Sequence, residues 1–574
     1  MAADLVYDLL IVSDLHLSEG RNPQSKKISL NEDFFFDDEF SRFLQYHSRR
    51  MPGRKWNLIF NGDFLDFLQV ISEISEDSDR DFLTYLGVAT REAALKLLAF
   101  DRGHPECGLG TGPKETVYKL WKIMAGHWVF FEAIADFIVQ GNVVTIGRGN
   151  HDVEFIYTEV RNQFAPKLRR MYQEKLGREH DPEATAKLQR FDAACSGGAI
   201  RFMDWFYYEP GVLWVEHGNQ YDELNSFKYW LAPYLPKGAG VDPQRQQEID
   251  LPWGSFFVRY LFNKIETKEP FADNVKPQSR FIRWFLTTHP RMALGFLFGD
   301  GRYMVNKMAR AWRPVADDAY ADRAAEHQRR LEQLARESHA PLATLLEMDR
   351  LGFRSPNILK EPYGSWYIGR WLTRTAPLML LLLGLILFAG AAGAIFIMVH
   401  ILLPILPTPI RSLGWHYWNA LVQHSPWALK ALDAIRSLAL IIFLGLIGLY
   451  LKSRFGRQKP TGSSLLASRA EQIRQMLDVK YVTMGHTHET DLQRIGGRAQ
   501  EYFNTGTWTK VFSDQEDRLI REESELVFLQ VVHEDNDVKV RLLKWEDGPG
   551  EPRLVKLFDK QGSALQQSSV GAPK

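Results

Sequence analysis

Leu9-Leu10-Ile11-Val12-Ser13-Asp14-Leu15-His16 opens on four apolar residues and closes on a carboxylate and an imidazole two positions apart. The apolar, partly β-branched half reads as a strand, and the polar half as the loop at its carboxyl end. The same texture recurs at Leu58-Ile59-Phe60, Val143-Val144-Thr145-Ile146 and Val212-Leu213-Trp214-Val215, separated by helical patterns such as Lys119 to Gln140. Strands alternating with helices over the first 220 residues make this an α/β chain. Strand patterns return at Val479–Met484, Leu526–Val532 and Val538–Leu543, the last two joined by a turn at Glu534-Asp-Asn-Asp537.

Each strand run ends in a polar cluster. After Ser13-Asp14-Leu15-His16 come Asn61-Gly62-Asp63, Gly149-Asn150-His151-Asp152, Glu216-His217-Gly218 and Gly485-His486-Thr487-His488. Open α/β sheets bind ligands beyond the carboxyl ends of their strands, so all five clusters fall where one shared site would form. Singly, each is a weak signal: His217 alone would read as an ordinary histidine, and the glycines as turn residues. Five together, in order, are not. Asp66 reads as the start of a helix, Arg148 as a loop cation able to meet phosphate, and Asn504-Thr505-Gly506-Thr507 as a strand-to-turn.

Composition narrows the class. The 574 residues carry 70 Lys+Arg against 70 Asp+Glu, and this balance argues against a nucleic-acid-coating protein. Two cysteines, Cys107 and Cys195, exclude a disulfide framework and suit a reducing compartment. No basic segment followed by a long apolar run opens the chain, so no signal peptide is expected. From Thr375 to Ile410, however, there is no charged residue. Residues 376–399 are long enough to cross hydrocarbon, and residues 431–451 reach a similar length if Asp433 and Arg436 pair and Arg436 snorkels to the interface.

Between these regions, Trp253 to Arg313 holds eleven Lys/Arg against four acids, interleaved with thirteen aromatics. That mixture suits either a helical surface on anionic headgroups or an amphipathic subdomain packed on the core. Residues 316–350 read as a largely solvated helix, and residues 68–115 as an insertion.

Taken jointly, the five clusters resemble the signature of the calcineurin-like metallophosphoesterase superfamily: Asp-x-His, Gly-Asp, Gly-Asn-His-Asp, a lone His, then Gly-His-x-His. The resemblance covers about residues 5–220 and 475–545. It implies a layered β-sandwich flanked by helices, here with a large helical insertion and a two-helix transmembrane hairpin. The implied division is 1–222 and 460–548 for the two parts of the catalytic domain, 223–370 for the insertion, 371–459 for the hairpin and 549–574 for a disordered tail.

By the same resemblance, Asp14, His16, Asp63 and His488 hold one divalent cation, and Asp63, Asn150, His217 and His486 a second. Mixed imidazole and carboxylate donors favour Mn, Fe or Zn over Mg. His151 is then the residue that stabilises developing charge or protonates the leaving oxygen, with Asp152 orienting it, and a water shared by the two cations is the nucleophile. The implied activity is hydrolysis of a phosphomonoester, phosphodiester or pyrophosphate.

The Ser-Asp-Leu-His-Leu-Ser opening also resembles the UDP-2,3-diacylglucosamine diphosphatases, although those usually have Gly-Asn-Arg-Asp where this chain has His151. A lipid-linked substrate drawn from the bilayer is expected. A soluble phosphoprotein or nucleotide substrate, or a non-catalytic scaffold, are the alternatives. Because ligands flank the apolar segment on both sides, the number of spans must be even. Six basic residues on the domain side (Arg370, Arg374, Lys452, Arg454, Arg457, Lys459) against three in the connecting loop place the catalytic domain in the cytoplasm.

Overall fold

The computed structural model describes residues 7–50, 53–100, 104–235, 247–266, 317–353, 462–495, 501–510, 526–534 and 537–558, together with the short hairpin 512–521 and a few isolated positions. The chain divides into two compact units, one of residues 1–275, 303–357 and 460–574, the other of 276–302 and 358–459. The second unit lies almost wholly outside the described residues, as do the expected spans 376–399 and 431–451. Among the described residues no helix is long and apolar enough to cross a membrane.

The first unit is α/β, with two mixed sheets. Strands β1 (Asp8–Val12), β2 (Trp56–Phe60), β3 (Val143–Gly147) and β4 (Ile200–Met203) run parallel in one sheet. β5 (Phe206–Glu209), β6 (Leu213–Glu216), β7 (Tyr481–Met484), β8 (Thr490–Arg494) and β9 (Glu501–Thr505) form a second, ordered β5-β6-β7-β9-β8. There β6, β7 and β9 are parallel, while β5 and β8 run antiparallel at the edges. A hairpin of β10 (Phe512–Gln515) and β11 (Arg518–Arg521) precedes β12 (Val527–Glu534), β13 (Asp537–Glu546) and β14 (Glu551–Leu554). These last three continue the first sheet antiparallel from β1, giving β14-β13-β12-β1-β2-β3-β4.

Period-two alternation explains the layering. Leu9 and Ile11 of β1 pack with Leu213 and Val215 of β6, Tyr481 of β7 and Phe503 of β9, so the two sheets face each other. Leu10 and Val12 point the opposite way, into the aromatic core beneath α1 (Asp37–Arg50). β1 is therefore buried on both faces, which is why its sequence shows no polar alternation.

Seven helices lie between the strands of the first half: α1, then α2 (Arg80–Leu86), α3 (Arg91–Leu97), α4 (Pro113–Gly126), α5 (Trp128–Val139), α6 (Thr158–Arg178) and α7 (Ala184–Ser196). α8 (Trp253–Phe257) passes through a π-turn into α9 (Asn263–Glu266), followed by α10 (Asp317–Ser338), α11 (Leu342–Leu351) and α12 (Gly462–Leu477).

One expectation changes here, and at the start of the basic-aromatic stretch the core-packed of its two readings holds. The tail drawn from 549 instead begins with an edge strand, since β14 pairs with β13. The described start of the basic-aromatic stretch is interior: Trp253, Phe256, Phe262 and Ile265 are buried. Arg259 is buried with them, its guanidinium donating to the carbonyls of Cys107 (3.2 Å) and Leu109 (2.7 Å). A cation spent on backbone carbonyls is not available to lipid.

Candidate metal centre

The five clusters converge at the carboxyl ends of five parallel strands. Asp14 and His16 follow β1, Asp63 follows β2, Asn150 and His151 follow β3, His217 follows β6, and His486 and His488 follow β7. Donor atoms of Asp14, His16 and His488 lie within 4.8 Å of one another, and so do those of Asp63, His217 and His486. Asp63 also joins His16 and His151 in a third such group, which puts its carboxylate between the two trios. Six of the seven residues expected to ligate metal, Asp14, His16, Asp63, His217, His486 and His488, are thus brought together.

The loops are built for this. Asp14, His16, Asp63, His486 and His488 all have positive φ, five of the ten non-glycine residues so placed among the described residues. That backbone region is costly for residues with a Cβ and persists where the surroundings hold it. The neighbouring glycines are there for space. A Cβ on Gly62 would lie 2.6 Å from the His217 ring, on Gly149 2.2 Å from Asp63 Oδ1, and on Gly485 2.4 Å from Asp14 Oδ2.

Three of the imidazoles are turned by a partner on the far side, the arrangement that fixes tautomer and ring direction in metal sites. His217 Nδ1 donates to the carbonyl of Asn61 (2.9 Å), which leaves the Nε2 lone pair facing Asp63 Oδ2 at 3.1 Å. His486 Nε2 lies 3.1 Å from Asp222 Oδ2, so its lone pair is on Nδ1. His16 Nδ1 faces Asp66 at 3.4 Å, and its Nε2 approaches His488 Nε2 to 3.0 Å.

Two further atoms test whether a cation fits. His217 Nε2 and Asn150 Oδ1 are buried without a hydrogen bond, a costly state for polar atoms. Both carry a lone pair and belong to the set expected on one cation. Buried acceptors, paired imidazoles and carboxylates are donors that could hold a metal ion.

Burial works against ionisation of Asp63, but the imidazoles of His217, His151 and His16 outweigh it and hold the carboxyl well below its usual range. Asp66, flanked by His151 and His16, is likewise held low despite its burial. Asp152 differs: burial, then the neighbouring Asp63 charge, push it up to about 7 against the backbone amides that favour its anion.

His151 is where the expected partner changes. Its Nδ1 lies 2.5 Å from Asp66 Oδ2, so Asp66, not Asp152, orients the ring. Asp152 instead accepts backbone amides from Gly149 (2.6 Å), Phe64 (2.8 Å), Asp63 (3.3 Å) and Leu65 (3.4 Å). It clamps the loop after β3 to the loop after β2. No helix starts at Asp66: residues 67–69 form a bend, in which Asp66 Oδ1 accepts the amides of Leu68 and Gln69.

The phosphate-facing reading of Arg148 is also replaced. Its side chain is buried, stacked over Trp230 at 4.7 Å, and it donates to the Asp204 carbonyl. The strand-to-turn at Asn504–Thr507 proves to be a buttress. Asn504 Nδ2 donates to the Gly485 carbonyl (2.9 Å), Thr507 Oγ1 to the Asp14 carbonyl (2.6 Å), and Thr505 Oγ1 pairs with Ser13 Oγ (2.7 Å). Asp222 was missed altogether, because nothing in Tyr221-Asp222-Glu223 distinguishes it from a surface carboxylate.

Searches against family models, curated proteins and solved structures return no match to this chain.

Proposed function

We propose that the chain is a membrane-anchored phosphoesterase of the calcineurin-like type, using two divalent ions held in the metal centre. The observation that carries this reading is the pair of donor trios meeting at Asp63, with His217 Nε2 and Asn150 Oδ1 left without a hydrogen bond beside them. Asp14, His16, Asp63 and His488 would hold one ion and Asp63, Asn150, His217 and His486 the other. When bound, such ions supply Lewis-acid stabilisation of phosphoryl oxygens and a nucleophilic water at neutral pH.

The chain's own residues do the rest. Asp63 ionises readily in a buried site, so it can be shared between two cations that would otherwise repel. Asp66 keeps the proton on His151 Nδ1 and aims the ring, placing an imidazole where it can donate to a leaving oxygen. Asp152 holds the two ligand loops in register. The hairpin 376–399 and 431–451 would tether the site to the cytoplasmic face of a bilayer, which favours a phosphate on a lipid or lipid-linked molecule.

Metal analysis of the purified protein, followed by hydrolysis of a phosphoester panel that includes lipids, tests the reading. Asp63→Ala is expected to abolish metal-dependent hydrolysis while leaving the protein membrane-bound. Undiminished turnover in that variant would overturn the two-metal assignment.

A further inference from the structure

Four residues past His16 the chain leaves the core and builds a small hairpin, residues 20–30. Arg21 bridges Ile28 antiparallel. The Asn22 amide donates to the Lys27 carbonyl (2.8 Å) and the Lys26 amide to the Asn22 carbonyl (2.9 Å). The Asn22 side-chain oxygen caps the turn by accepting the amides of Gln24 (3.0 Å) and Ser25 (2.8 Å). Its base is fastened: Arg21 N donates to the Gly126 carbonyl (3.1 Å), Ser29 N to the Gly20 carbonyl (3.0 Å), and Gly20 N to Glu32 Oε2 (2.6 Å).

What this rigid loop presents is unusual. Residues 21–28 are all exposed, and Ile28 and Leu30 are 41% and 53% exposed. They are two of the four large apolar side chains left open among the described residues. From Gly20 to Asn31 there are three cations, Arg21, Lys26 and Lys27, and no carboxylate. Lys26 leans over the Trp128 ring at 5.2 Å, adding an aromatic edge beside the charge.

Apolar side chains held open to water beside three cations are the composition of an interfacial anchor: the apolar groups enter the headgroup layer and the ammonium and guanidinium groups meet lipid phosphate. Because the hairpin is already hydrogen-bonded, docking incurs little ordering cost.

We propose that the 20–30 hairpin docks on an anionic bilayer surface, and so holds the loop carrying Asp14 and His16 close to headgroups. This rests on the membrane part of the proposed function and not on its chemistry.

The test uses the full chain with a Cys195→Ser background and an environment-sensitive fluorophore on Ile28→Cys. The protein is placed in nanodiscs of phosphatidylcholine alone or of phosphatidylcholine with phosphatidylserine. Docking predicts a blue-shifted emission, quenched by doxyl-labelled lipid, in the anionic discs. Arg21→Gln, Lys26→Gln and Lys27→Gln together are expected to weaken that quenching at least tenfold, and high salt to do the same. Soluble nitrophenyl phosphate turnover by these variants stays unchanged, which separates failure of docking from failure of the phosphoesterase reading.

If the chain does not insert into discs, anchoring fails on its own, and vesicles of the same two lipid compositions added in solution are still expected to give the anionic shift. No lipid quenching in either composition, or quenching indifferent to the three cations, overturns the proposal. A shift produced by polyglutamate and not by vesicles would overturn it in favour of an acidic protein partner.

Discussion

His151 and Asp66 are the residues where chemistry can be separated from metal binding. Replacing His151 with Ala is expected to lower kcat by roughly 10²–10⁴-fold, the scale of a lost general acid, with bound metal unchanged. The loss should be large for poor leaving groups and small for nitrophenolate, which departs without a proton. Asp66→Asn should follow the same leaving-group pattern at reduced depth, because the ring stays but its aim relaxes. A rate insensitive to leaving group in both variants would remove His151 from proton transfer.

The candidate metal-holding residues are legible in the sequence because each belongs to a short cluster at the end of an apolar run. Asp66 and Asp222 are not, since a carboxylate that serves a histidine brought in from elsewhere in the chain has no local signature. Asp222 reaches His486 across 264 positions.

Elements read unevenly for a similar reason. β1 and β3 announce themselves as apolar runs, whereas the segment from Trp253 to Glu266 reads two ways: its Arg259 suits a surface or a packed subdomain by composition, and inside the fold it is consumed by two carbonyls. The junction of α4 and α5 offers a test that is independent of the site. There the buried His127 lies between Asp37 Oδ1 (3.0 Å) and Glu32 Oε2 (3.1 Å). Burial opposes its protonation, but the two carboxylates prevail and raise it from 6.5 to about 10. A folded value above the unfolded one means stabilisation fully present below about pH 6.5 and lost as the pH rises toward about 10. Denaturant unfolding is therefore expected to show stability declining over that window, and His127→Gln should flatten the decline. An unchanged slope in the variant would place the titration elsewhere.

On the scale of the whole molecule, the proposed topology has one strict requirement. Asp14 accepts the His486 amide at 2.9 Å, so the regions on either side of residues 358–459 share one compartment. Single cysteines at exposed Ser25 and Glu551 in a Cys195→Ser background should react with an impermeant maleimide from the same face of sealed vesicles. Labelling from opposite faces would dismantle both the site and the anchor.

The distance along the chain between Asp14 and His486, 472 positions, also sets a timetable. During synthesis the amino-terminal donors leave the ribosome long before their partners exist. On the proposed function, cation capture would be the closing event of biogenesis, and a prematurely terminated or wrongly threaded product would lack the second half of the site.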